Sequence, residues 1–209
     1  RFPTWEAFNL WLEEQCRKRQ NDRLRGESET IGERLRRDLA AMQELPASPF
    51  EACDQTSGQV SSQALVRYRT NDYSVPVRFG HQEVWIRGYV GEVVIGCRGE
   101  VIARHPRSYE REDVIFDPVH YLSLIEQKLG ALDQAAPLQG WNLPEVFVTL
   151  RRLMEARMGK HGRREYVQVL RLLESFPLAD LHGAVKQALD MGAIGFDAVK
   201  HLVLCRIER

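Results

Sequence analysis

The sequence lacks the motifs that mark several large classes of enzyme. It contains no Gly-rich phosphate loop, no HExxH and no GxSxG, which argues against the common nucleotide-binding, metalloprotease and hydrolase sites. No apolar run approaches the roughly 20 residues that would span a bilayer, and no apolar leader follows Arg1. We therefore expect no membrane association and a cytoplasmic location. The absence of an initiating Met leads us to expect a fragment of a longer protein.

Metal-binding residues are also few. The four cysteines are scattered and form no CxxC pair, so we expect reduced thiols and no zinc knuckle. His201 and Cys205 lie four residues apart on one predicted helix, but no third ligand is near them in sequence. The acidic residues Glu110, Glu112 and Asp113 are typical of a solvated helix start. We predict no catalytic residue, no metal site and no cofactor in this chain.

The charge is balanced overall but unevenly distributed. The chain has 29 Lys and Arg against 29 Asp and Glu. Residues 60–107 carry seven basic against four acidic residues, and residues 143–209 carry eleven against eight, whereas residues 108–142 carry two against six. Two basic segments joined by an acidic one could bind a polyanion, although a net charge of +3 is weak evidence.

The spacing of apolar residues predicts an α+β fold with helices at both ends. Residues 1–45 predict two helices, one from Thr4 to about residue 25 with a stripe formed by Trp5, Phe8 and Leu12, and one over about 29–44. Two prolines then indicate a linker over 46–61. The tail predicts a helix from Pro118 to about residue 129, a flexible joint at 130–142, and a helical bundle over 143–209, with helices at 143–158, 163–175, 178–191 and from Phe196.

Between residues 62 and 107 the apolar period changes to two, which predicts short antiparallel strands. We expect strands at 65–69, 75–79, 84–90, 93–97 and 100–104, with Asn71 and Asp72 in a turn. Pro76 places the second strand at an edge. Because so small a sheet must hide its edges, we predict a closed five-stranded SH3-like β-barrel.

Arginines recur on successive predicted strands, opposite the inward apolar residues. Arginine suits bidentate phosphate contacts, and Trp85 and Tyr89 share the strand face of Arg87, so an aromatic–arginine surface for nucleic acid is one interpretation. The alternative is that outward positions are polar in any sheet and that Trp85 packs under a helix. The candidate DNA-binding residues of the barrel are Arg67, Arg69, Arg78, Arg87, Arg98, Arg104 and Arg107.

A second basic window spans the predicted turn at residues 159–162. A mobile turn of this composition could bind phosphate without sequence preference. The alternative is a solvated helix end, where cations favour the C-terminal turn. The candidates in this window are Arg151, Arg152, Lys160, Arg163 and Arg164.

The order of these parts resembles the C-terminal portion of IstA-type transposases, which belong to two-gene bacterial insertion sequences. Residues 2–46, with Trp5-x-x-Phe8-Asn9 and Arg34-Leu35-x-x-Asp38, resemble the closing helices of an integrase-like core. Residues 73–107 are similar to the small barrel of Mu-type transposases. The similarity there is carried by Ser74-Val75-Pro76-Val77, Val93-x-Ile95 and Ile102-Ala103-x-His105.

The resemblance implies a division of labour. The resemblance implies a parent core that uses three acidic residues and a divalent metal, Mg²⁺, to cut and join DNA, and no match to that triad is present here. The barrel would contact transposon-end double-stranded DNA in the bacterial nucleoid. The tail would contact other protomers, in a dimer or a higher assembly, or a helper AAA+ ATPase of the IstB type. The expected function is therefore DNA binding and assembly during transposition. The alternative is a protein-interaction module, an SH3-like barrel with a helical docking platform, that makes no direct DNA contact.

Overall fold

The computed structural model describes residues 1–207, which divide into two compact units, residues 1–51 and the remainder from residue 52. The first unit contains α1 (Trp5–Arg19) and α2 (Ile31–Ala41). Thr4 caps α1 as predicted, accepting a hydrogen bond from the backbone N–H of Ala7 at 3.2 Å. A reciprocal capping box between Thr30 and Glu33 begins α2. The prediction that α1 continues to residue 25 is wrong, because the chain turns after Arg19 and bridges Arg23 to Thr30.

No residue of α1 or α2 is buried. The predicted stripe on α1 contributes Trp5 and Phe8 to a cluster of four aromatic rings with Phe2 and Trp11, whose centroids are 5.2 to 6.1 Å apart. Trp5 nevertheless remains 77% exposed. This unit therefore presents a large apolar surface.

The second unit begins with two small sheets. An antiparallel sheet has the order β1 (Asp54–Gln59), β4 (Glu83–Gly88), β5 (Glu92–Cys97), β6 (Glu100–Pro106). The other has the order β2 (Leu65–Tyr68), β3 (Asn71–Ser74), β7 (Val114–Ile115). Both sheets pack on one apolar core, which includes Tyr73, Ile86 and Ile95. Among residues 1–207 the backbone ladders of the two sheets are separate, and the predicted closure into a barrel is not shown.

Three strand predictions are wrong in detail. Asn71 and Asp72 lie in β3, because the hairpin turn falls at Arg69 and Thr70, where Arg69 has φ +58°. Residues 77–79 form a 3-10 turn, since Pro76 cannot donate to a ladder. The predicted linker contains β1, whose polar residues gave no apolar alternation but pair in register with β4.

Helices follow the sheets. A 3-10 turn (Pro118–Tyr121) leads into α3 (Leu122–Gln127), and the tail contains α4 (Glu145–Met158), α5 (Lys160–Arg171), α6 (Leu178–Met191) and α7 (Phe196–Ile207). The helical bundle is thus confirmed, and α3 shares its core. The flexible joint at 130–142 is wrong, because Leu132 is buried in that core and short 3-10 turns order the segment.

A buried polar node joins the sheets to the helices. Ser74 on β3 is fully buried, and its carbonyl oxygen accepts a hydrogen bond from Nε2 of His105 at 2.6 Å. Its Oγ accepts from the backbone N–H of Asp117 at 2.8 Å and lies 2.9 Å from Nδ1 of His120. Burial lowers the pKa of His120 to about 4, and burial also lowers the pKa of His105.

The close approach of α4 to α5 requires glycine at position 162. A Cβ there would lie 2.0 Å from the carbonyl oxygen of Met154, a backbone atom that cannot rotate away. We expect Gly162→Ala to lower the free energy of unfolding by roughly 2 kcal/mol or more. The matched control is Gly130→Ala, where a Cβ would meet nothing within 4 Å. Equal thermal unfolding temperatures for the two variants would contradict the packing described.

The histidine node predicts acid sensitivity. Since both folded-state pKa values are lowered, the folded state favours neutral rings, and stability is full above pH 6.5 and declines as the pH falls from 6.5 toward 4. The slope is at most about 1.4 kcal/mol per pH unit for each ring. We expect His120→Asn to reduce the loss in unfolding free energy between pH 7.5 and pH 5.5, measured by urea denaturation. The exposed control His201→Asn should leave that loss unchanged, and an equal effect of both variants would refute the assignment.

Candidate nucleic-acid interface

Three candidate arginines of the sheets form ion pairs within the chain. The pairs are Arg67–Asp72 at 2.6 Å, Arg69–Asp54 at 2.6 Å and Arg104–Glu92 at 3.3 Å. Hydrogen bonds from Arg69 and then Tyr68 lower the pKa of the Asp54 carboxyl. The three guanidinium groups are therefore already paired: Arg67 and Arg104 each face an acid on the adjacent strand, and Arg69, in the β2–β3 turn, faces Asp54 on β1 of the other sheet. Their side chains are 59 to 64% exposed, however, and exposed ion pairs are weak enough for a phosphate to replace the carboxylate.

Arg107 is held by two tyrosines that the sequence did not single out. Its Nη1 donates to the carbonyl oxygen of Tyr89 at 2.7 Å. Its guanidinium carbon lies 4.6 Å from the ring centroid of Tyr109 and 5.4 Å from that of Tyr68. These cation–π contacts position the side chain at the β4–β5 turn end of the sheet. In the sequence, this contact could have been predicted from Tyr109, which follows Arg107 by two residues.

Two arginines lie together at the opposite end of the sheet. Arg98 occupies the β5–β6 turn with φ +51°, and Arg78 lies on the 3-10 turn that precedes β4. Gln82 connects these turns, since its Nε2 donates to the carbonyl oxygen of Arg78 at 3.3 Å and its Oε1 accepts from Sγ of Cys97 at 3.4 Å. In the part of the chain that the structure describes, neither arginine forms an ion pair. We call Arg78 and Arg98 the turn-end arginines.

The tail candidates divide in the same way. Arg151 and Arg163 both pair with Glu155 and Asp133, so they bind α4 and α5 to the preceding segment. Desolvation lowers the pKa of Arg151, but hydrogen bonds to Glu155 and Asp133 outweigh it and leave a net rise. These two residues therefore stabilise the packing of α4 and α5 against the segment that contains Asp133.

The remaining tail cations lie where a helix does not favour them. The predicted mobile turn at 159–162 is wrong, because α5 begins at Lys160 and Gly159 alone, with φ +56°, separates the helices. The first turn of α5 contains no acidic residue, and positive side chains there oppose the helix dipole. Lys160 and Arg164 are exposed and, within residues 1–207, form no ion pair. Arg152 on α4 is likewise exposed and forms no ion pair among these residues. The alternative of a favourable C-terminal helix end fits Arg157 but not Lys160 or Arg164.

No catalytic or metal centre emerges from the described residues. Ser74, His120 and Asp117 are adjacent, but the Ser74 side chain is fully buried and engaged, so it is not placed to attack a substrate. Sγ of Cys205 lies 3.5 Å from Nε2 of His201. No group of three metal-ligating side chains occurs among residues 1–207. Over the same residues, no helix is both long enough and apolar enough to cross a bilayer.

The comparisons with known proteins find transposases. Residues 45–117, which contain β1 to β7, match the model "Mu transposase, C-terminal domain". The chain is 33% identical over 202 residues to a transposase of Aminobacter aminovorans, covering 92% of this chain and 38% of that protein. It is 29% identical over 208 residues to the transposase for insertion sequences IS1326/IS1353 of Pseudomonas aeruginosa, covering 97% and 40%, and the Shigella flexneri protein of the same name matches equally.

No solved structure matches the chain. The chain spans about two fifths of the length of the curated relatives it matches. Together, the family match and the relatives show that the chain is similar to transposases.

Proposed function

We propose that this chain is the DNA-binding and assembly portion of a bacterial transposase, acting in the cytoplasm on transposon-end double-stranded DNA. The relatives named as transposases are more than twice as long as the stretch they share with this chain. The cutting and joining of DNA, and the divalent metal ion that this chemistry needs, are therefore assigned to the part of the parent protein that this chain does not include.

The observation that carries the proposal is the positive charge near the start of α5. Lys160, at the positive end of the helix dipole, and Arg164, about one turn further along the helix, are exposed cations without ion pairs in the described chain. Such a placement costs stability, and residues that break a local rule in this way are typical of functional sites. A phosphate would be bound by these side chains and by the N–H groups that begin the helix.

The turn-end arginines and Arg107 extend the proposed contact to the sheets. Arg78 and Arg98 lack intrachain carboxylate partners among the described residues, and Arg107 is positioned by aromatic rings rather than by an acid. Arg67, Arg69 and Arg104 would join the contact only by exchanging a carboxylate for a phosphate. The two sheets on their shared core would then act as the small SH3-like barrel of Mu-type transposases.

Partner binding is the second part of the proposal. We infer an IstA-type parent in which the helical tail contacts other protomers or an IstB-type AAA+ ATPase. This assignment follows from the order of helices, sheets and helical tail. A pull-down of the cognate ATPase by the chain with and without residues 143–209 tests this assignment. If the ATPase is still retained after the deletion, the tail is not its binding site.

Salt dependence tests the DNA contact. We expect the chain to bind a duplex of the element's terminal repeat, with an affinity that falls steeply as salt rises because phosphate contacts release counterions. Lys160→Ala and Arg164→Ala should each weaken binding and reduce the slope of log K against log salt by about 1. Fluorescence anisotropy over a salt series measures both quantities.

The control for this series is Lys186→Ala, an exposed lysine on α6 outside the proposed contact. Its slope should equal that of the unaltered chain. If all three variants reduce the slope equally, the binding is a general charge effect. If the unaltered chain does not bind at low salt, the DNA-contact proposal fails.

The ion pairs of the sheets give a second prediction. If Asp72 competes with phosphate for Arg67, then Asp72→Asn should strengthen duplex binding several-fold at low salt, whereas Arg67→Ala should weaken it. Asp180→Asn, which removes an acid from α6, serves as the matched control. Isothermal titration calorimetry measures the affinity of the three variants for the duplex. Equal gains in affinity from Asp72→Asn and Asp180→Asn would show that Arg67 makes no phosphate contact.

A further inference from the structure

The outer face of the four-stranded sheet carries a partly exposed tryptophan, Trp85. Trp85 alternates along β4 with the buried Val84 and Ile86, so it points away from the core. Neither of the two apolar cores of the second unit includes it. The sequence-based alternative, in which Trp85 packs under a helix, has no support in these cores.

The indole lies flat against the sheet because its neighbour in register is glycine. Trp85 pairs with Gly96 of β5, and a Cβ at Gly96 would lie 1.9 Å from Cζ2 of the indole. Any other residue at position 96 would push the ring out of this position. The sheet thus supports a flat aromatic surface, and the side chain remains partly exposed.

Polar groups surround the indole. The Arg87 guanidinium carbon lies 4.9 Å from the ring centroid, and on the adjacent β1 strand Ser57 is in register with Trp85 and Gln55 with Arg87. A shallow depression of about 310 Å³ opens here, lined by Gln55, Thr56, Trp85, Ile86 and Arg87. The depression therefore offers a ring to stack on, a planar cation, and amide and hydroxyl groups at the edge.

The charges on this face favour a single base over a duplex. The outward positions of β4 and β5 include Glu83 and Glu92 as well as Arg87, and Arg104 on β6 is paired with Glu92. A face on which two acids balance two arginines attracts the closely spaced phosphates of a duplex less than the cations without ion pairs in the turns and on α5 do. Base stacking tolerates such a neutral face, because the attraction comes from the aromatic surface.

We propose that the depression at Trp85 and Arg87 binds an unpaired DNA base, stacked on the aromatic–arginine surface, with Gln55 and Ser57 at the edge of the base. This inference rests on the proposed function, because it assigns the single-stranded part of a DNA substrate to one site on the same chain. Unpaired nucleotides at the end of a duplex would bind here while cations elsewhere contact the duplex.

The experiment compares three DNA probes by fluorescence anisotropy. They are a blunt terminal-repeat duplex, the same duplex with a three-nucleotide unpaired extension, and the single strand alone. We expect the extension to tighten binding by about tenfold, which corresponds to about 1.4 kcal/mol. Trp85→Leu should abolish this gain and leave blunt-duplex binding unchanged, whereas Trp85→Phe should retain most of the gain because a ring is preserved.

Trp5→Leu provides the matched control, since Trp5 is an exposed tryptophan of the first unit, and it should keep the full gain. Unfolding temperatures of all variants, measured in parallel, identify a variant that fails to fold. If Trp85→Leu fails to fold, the extended duplex should still quench the tryptophan fluorescence of the unaltered chain, and Trp85→Phe should lose that quenching. If the blunt duplex does not bind, the proposed function fails. If the blunt duplex binds but the extension adds no affinity, the base site is refuted. It is also refuted if the gain in affinity from the extension survives Trp85→Leu.

Discussion

The buried hydroxyl and carbonyl of Ser74 are the constraint on which the second unit depends. Through this one residue, β3 is hydrogen-bonded to His105 on β6 and to the turn that begins the helical bundle at Asp117. Ser74 and His105 are buried, so losing a partner would leave a buried polar group unsatisfied. Because the sheets and the bundle share this node, the arginines of the sheets and the cations of α5 belong to one unit of fixed arrangement.

Ion pairing decides which of those cations are available to a ligand. Wherever an acid lies across a strand or on the next helix, the arginine pairs with it, as Arg67 does with Asp72 and Arg163 with Glu155. Among the candidate residues, those that form no ion pair within residues 1–207 are Arg78 and Arg98 in turns, Arg152 on α4, and Lys160 and Arg164 on α5. A net charge near zero is thus compatible with polyanion binding, because several exposed cations of the candidate surface are not neutralised by a carboxylate.

Much of the fold followed from periodicity, and the errors have physical causes. The helices of the tail and the strands β4, β5 and β6 were predictable from apolar spacing, as was the Thr4 cap. Strand β1 was not, because its polar residues are held by pairing with β4 and not by burial. The start of α5 was missed because Gly162 reads as a turn residue, whereas the structure uses it to let two helices touch. Of the candidate arginines, Arg67, Arg87 and Arg104 lie on strands, whereas the others lie in turns or beyond a strand end. The acids opposite them depend on register, which the sequence does not display.

Hydrogen exchange with and without the terminal-repeat duplex tests the central claim most directly. The account predicts slowed amide exchange over residues 159–164, at the start of α5, and over the turns at residues 76–82 and 97–100, with little change along α6 and α7. Protection confined to residues 1–51, or absent while the DNA is demonstrably bound, would contradict it.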